Sequence, residues 1–98
     1  MTLPVTPAGA DPAWHLFVVT HPRADELIGA LNQAGVQARG YYRTPLHKQP
    51  AMAPYAPDAL SLPATDQLAA TNFALPISPV FSPEQAREVV SAIAGVLG

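Results

Sequence analysis

No cysteine occurs in this chain. Disulfides and thiolate catalysis are therefore excluded, and a reducing cytoplasm is the expected setting. Charge is also scarce. Charged residues make up 12%, about half the usual share, so part of the apolar surface is expected to meet a partner. The net charge is −2, and the five Lys and Arg residues form no basic stripe. Nucleic acid is thus a poor partner. The opening residues, MTLPVTPAGADP, have neither a basic start nor an apolar run, and do not read as a signal peptide. No stretch approaches the roughly 18 apolar residues of a membrane span. The six glycines form no phosphate-cradling loop, and there is no Gly-x-Ser-x-Gly elbow. His15, His21 and His47 lack the spacing of metal ligands.

Hydrophobic residues, at 49%, and prolines, twelve in number, are what the chain has in quantity. The prolines are about twice the average usage and punctuate the chain in three clusters. Residues 1–12 read as an extended lead-in or linker, and residues 13–98 as one small domain. WHLFVVT, residues 14–20, is β-branched and aromatic and predicts a strand. His15 within it reads as a structural histidine with one hydrogen bond. Pro22 suits the first turn of a helix, with His21 capping it or simply exposed. Leu27, Ile28 and Leu31 continue a helical stripe, and Gly35 suits the residue just past its end. Residues 36–43 predict a second strand. Residues 44–61 hold four prolines and read as a long loop, of the kind that is usually functional in a compact domain.

Pro63 opens a short helix to about Ala70, and Phe73–Ile77 reads as a third strand. Ser82-Pro83-Glu84-Gln85 predicts a capping box. Ala86, Val89, Val90, Ile93 and Leu97 give the last helix one apolar face. The expected fold is α+β: a small, mostly antiparallel three-stranded sheet packed with about three helices.

The densest chemistry is YYRTPLHKQPAM, residues 41–52. Arg43 and Lys48 suit phosphate, the tyrosines suit stacking and hydroxyl contacts, and His47 is a switchable donor. That set fits a polar rim for an anionic or sugar-like ligand. It also fits a solvated loop. No carboxylate stands beside His47, Asp58 and Asp66 being the closest downstream, which speaks against a self-sufficient enzyme with His47 as general base.

PLHKQPAM after Tyr41-Tyr42 resembles the tyrosine–proline–leucine–histidine loop of the DegT/DnrJ/EryC1/StrS family of sugar aminotransferases. WHLFVV, RADELIGALNQAGV, LPATDQLAATNFALPISP and SPEQAREVVSAI resemble further segments of the family's C-terminal small domain, in the same order. The resemblance implies part of a pyridoxal-phosphate (PLP) enzyme that moves an amino group to a nucleotide-linked keto sugar, acting as a homodimer. It implies that Tyr42, His47, Arg43 and Gln49 line or flank the substrate cleft. Arg43 departs from the proline many relatives carry there. Lys48 does not match the Schiff-base lysine motif, and the large PLP-binding domain has no counterpart. Neither cofactor binding nor catalysis is therefore expected of this chain alone. Its expected partners are that large domain or a full-length aminotransferase, and a nucleotide sugar. The alternative is a stand-alone module, consistent with its opening Met1, that binds a nucleotide sugar or a full-length aminotransferase without catalysis.

Overall fold

The β-branched, aromatic run predicted at residues 14–20 supplies one strand of a short antiparallel pair. In the computed structural model, which describes residues 1–57 and 60–98, Phe17–Thr20 forms β1 and Asn72–Leu75 forms β2. They pair antiparallel, with Phe17 opposite Leu75, Val18 opposite Ala74, Val19 opposite Phe73 and Thr20 opposite Asn72. Side chains alternate across a strand, so Phe17, Val19, Phe73 and Leu75 share a face. That face receives α1, Ala24–Gln33, and α3, Pro83–Leu97, through Leu27, Leu31, Val89 and Ile93. Phe73, Leu27 and Leu31 are completely buried. Burial of each such side chain contributes about 1.5–3 kcal/mol.

Local signals set the helix ends. Gly35 takes φ +82°, which glycine adopts without a Cβ penalty. Its N–H donates to Asn32 O at 3.1 Å, and Val36 N–H donates to Leu31 O at 2.8 Å. These two bonds close α1 as a Schellman motif. α3 opens on the predicted capping box: Gln85 N–H donates to Ser82 Oγ at 3.1 Å, and Ser82 N–H donates to Gln85 Oε1 at 2.9 Å. α1 begins two residues later than the Pro22 start, and His21 Nδ1 accepts from Arg23 N–H at 3.0 Å ahead of it.

The expected three-stranded sheet is corrected to two strands. Residues 36–43 contribute a single bridge, Arg39 with Ala74. The reason is competition from side chains. Asn32 brackets Ala38, its Oδ1 accepting from Ala38 N–H at 3.0 Å and its Nδ2 donating to Ala38 O at 3.1 Å. Two residues past the bridge, Tyr41 N–H donates to the Asn72 side chain instead of a strand carbonyl. On the other edge, Thr2 exchanges two backbone bonds with Thr20, at 2.9 and 3.0 Å. β1 also starts later than predicted. Trp14 has φ +50° and leans on Phe17 at 5.6 Å between ring centroids. His15 is exposed and carries no hydrogen bond among the described residues, unlike the hydrogen-bonded strand histidine expected.

Between the two halves, the 44–61 segment makes two single 3-10 turns, Leu46–Lys48 and Pro50–Met52, before α2, Pro63–Thr71. Asp58 and Ala59 in that segment lie outside the described residues. No helix among the described residues is long and apolar enough to cross a membrane.

Candidate functional site

α2 runs into β2 without a loop, and Asn72 stands at the junction. Its side chain is 3% exposed, so both ends of its amide need partners. Nδ2 donates to Leu68 O at 2.7 Å, and Oδ1 accepts from Tyr41 N–H at 2.6 Å. One buried amide thus fixes the start of the polar loop against the last turn of α2. Gln49 braces the loop from within, its Nε2 donating to Thr44 O at 2.9 Å.

A groove of about 450 Å³ opens between loop and helix. Tyr41, Tyr42, Leu46 and Gln49 line one wall, and Thr65 and Leu68 line the other. Its rim is unusually bare: Tyr42 is 79% exposed, Leu46 70% and Leu68 57%. Apolar and aromatic surface gathered this way marks a binding surface more often than a solvated loop does. A neighbouring cavity of about 380 Å³ shares Leu46 and Thr65 and adds His47, Met52 and Tyr55.

The sequence-predicted site residues divide three ways. Tyr42 and Gln49 line the same groove. His47 lines the neighbouring cavity, with its side chain only 11% exposed. Among the described residues its Nε2 is buried without a hydrogen bond and lies 3.9 Å from Asp66 Oδ1, the same oxygen that Lys48 Nζ reaches at 2.9 Å. Arg43 points elsewhere. Nη1 donates to Ala69 O at 2.8 Å in α2, and Nη2 lies 2.8 Å from Asp25 Oδ1 in α1. Sequence reasoning missed Asn72 and Leu68 and left Asp66 out of the site. Asp66 falls in the first turn of α2, where an acid suits the helix dipole, and only folding brings it to His47. Asn72 carried one usable signal, a lone amide in an apolar strand.

These residues do not fit pyridoxal phosphate. Lys48 is the chain's single lysine. It is 54% exposed, and its Nζ lies 2.9 Å from Asp66 Oδ1. A Schiff base needs a neutral amine beside an acid that protonates the cofactor ring. Here, among the described residues, the acid beside Lys48 is already engaged by the amine itself.

The chain is 41% identical over 91 residues to the dTDP-3-amino-3,4,6-trideoxy-alpha-D-glucose transaminase of Streptomyces venezuelae, covering 93% of this chain but 24% of that protein. The solved structure of S. venezuelae DesV, in complex with a ketimine intermediate, matches with a TM-score of 0.87 at 39% identity, over 96% of this chain and 25% of that one. NtdA of Bacillus subtilis, solved with bound cofactor PMP, matches with a TM-score of 0.75 at 26% identity, over 86% of this chain and 20% of NtdA. The chain spans about a quarter of the length of the relatives it matches. Residues 1–94 match the DegT/DnrJ/EryC1/StrS aminotransferase family, and the chain belongs to that family.

Proposed function

We propose that this chain forms the C-terminal small domain of a PLP-dependent, cytoplasmic nucleotide-sugar aminotransferase, and supplies one wall of its substrate cleft. Amino transfer from an amino acid to a nucleotide-linked keto sugar is then the activity of the assembled enzyme. The large domain, or a full-length aminotransferase subunit in a homodimer, supplies the Schiff-base lysine and the phosphate site. The observation that carries this reading is the exposed Tyr42–Leu46–Leu68 groove, on a chain that covers a quarter of its relatives.

Each residue has a part in that wall. Tyr42 presents a ring and hydroxyl to a sugar or base. Gln49 lines the groove while holding Thr44. The His47 imidazole, backed by Asp66, faces the neighbouring cavity. The expected result for the purified 98-residue chain, given PLP, glutamate and a dTDP-linked 3-keto sugar, is no amino sugar above a protein-free control. Turnover by the chain alone sinks the proposal.

A second reading is a non-catalytic module that binds a nucleotide sugar unaided. The groove favours it, because this chain alone forms both walls. A ¹H–¹⁵N titration with a dTDP-linked amino sugar separates the two. Saturable shifts confined to residues 41–49 support the module, and a dispersed spectrum that stays still supports the incomplete wall.

A further inference from the structure

Arg43 stands where three elements meet. Its backbone follows Tyr42 at the groove rim, and its guanidinium reaches away from the groove. Nη1 donates to Ala69 O at 2.8 Å. That carbonyl belongs to the last turn of α2, where acceptors have no helical donor. Nη2 sits 2.8 Å from Asp25 Oδ1 in the first turn of α1. It is buried and outside hydrogen-bond alignment, so this contact is coulombic. A cation at a helix C-terminus and an acid at a helix N-terminus both agree with the helix dipoles.

The stem of Arg43 is seated as tightly as its head. It lies across Gly40. A Cβ at residue 40 would run into Arg43 Nε and come within 2.9 Å of Cδ. Relieving such contacts requires the Arg43 side chain to leave its seat, which the bond from its guanidinium to Ala69 O opposes. Tyr41 is fixed independently by Asn72. Tyr41 and Arg43 are therefore held on either side of Tyr42, which faces outward with its ring edge-on to Tyr41 at 5.8 Å.

We propose that Arg43 is a positioning residue: seated on Gly40 and tied to Asp25 and Ala69, it fixes the backbone from which Tyr42 is presented to the groove, and glycine is needed at position 40 because Arg43 lies there. The use of Tyr42 as a ligand contact rests on the function proposed above. The coupling between positions 40 and 43 does not.

A two-by-two set of variants tests the coupling. Gly40→Ala alone is expected to lower the Tm by about 5 °C or more. In an Arg43→Ala background the same substitution is expected to shift Tm by less than about 2 °C, because the clash is gone. Equal shifts in both backgrounds overturn the proposal. Arg43→Lys keeps the charge without the planar fork and serves if the alanine variant does not fold. In it the Tyr42 backbone and ring resonances are expected to move while those of Phe73 and Ile93 stay. A stationary Tyr42 also overturns the proposal. Neither measurement uses substrate or cofactor. A failed cycle therefore contradicts the positioning role alone, and a failed aminotransferase assay contradicts the functional reading alone.

Discussion

The two halves of this molecule are held by different forces. The layer of β1, β2, α1 and α3 is held by apolar burial, with Val19, Leu27, Leu31 and Phe73 each at 1% exposure or less. The loop on α2 is held by a few directed polar contacts from Asn72, Arg43, Gln49 and Asp66. Burial is non-directional and tolerates small shifts. Directed contacts set the position of a backbone, and each is lost outright when one partner goes. A core can therefore remain intact while the groove above it loses its shape, which suits a platform whose ligand is to be held in one orientation.

The largest expected effect lies in the core. Phe73→Ala removes a fully buried ring between β1 and the helices, and is expected to cost about 3–5 kcal/mol in urea unfolding. That is a large part of the stability of a domain this size. A cost below about 1 kcal/mol would break the comparison at its first term.

Asn72→Ala should come next and act differently. It leaves Tyr41 N–H without its partner, while Leu68 O keeps the backbone N–H of residue 72, at about 1–3 kcal/mol for a buried group left unpaired. Amide exchange at Tyr41 is expected to speed up while that of Leu31 and Ile93 changes only with global stability. Uniform acceleration across all three would show loop and core to be one cooperative unit.

The smallest effect belongs to the exposed edge of α1. The hydrogen bond from Arg23 holds the Glu26 carboxyl below the usual carboxylate range, aided by the arginine charge. A carboxyl depressed in the folded state adds stability that is present above its unfolded value, about 4.3. That stability is lost as pH falls through the lower folded value. Acid titration of Tm is thus expected to show slightly less loss below pH 4 in Glu26→Gln than in the native chain. Both side chains are solvent-exposed, so salt should reduce the difference further. An identical acid limb at low salt would remove the pair from the account.

What could be read from the sequence follows the same division. α1 and α3 were legible because period, capping box and Gly35 all agree. The antiparallel α+β character and the order of the remaining elements also followed. The strand expected at 36–43 did not form, because the side chains of Asn32, six residues from Ala38, and Asn72, 31 residues from Tyr41, take the backbone groups a ladder would use. The first strand is shorter than its apolar run because Trp14 leaves the extended region. Arg43 drew notice as a polar residue in a polar loop. Its partners, Asp25 and Ala69, lie 18 and 26 residues away, and no local pattern announces them. The meeting of His47 with Asp66 was hidden for the same reason.

The measurement closest to the central claim is amino transfer by a chimera. In it residues 1–94 of this chain replace the matching quarter of the S. venezuelae transaminase. kcat/KM is compared with and without Tyr42→Ala and Gln49→Ala. The account predicts a folded, active chimera that loses about ten- to a hundredfold in kcat/KM with each substitution, at about 1.4 kcal/mol per factor of ten. An active chimera indifferent to both substitutions would show that the groove is not a wall of the substrate cleft.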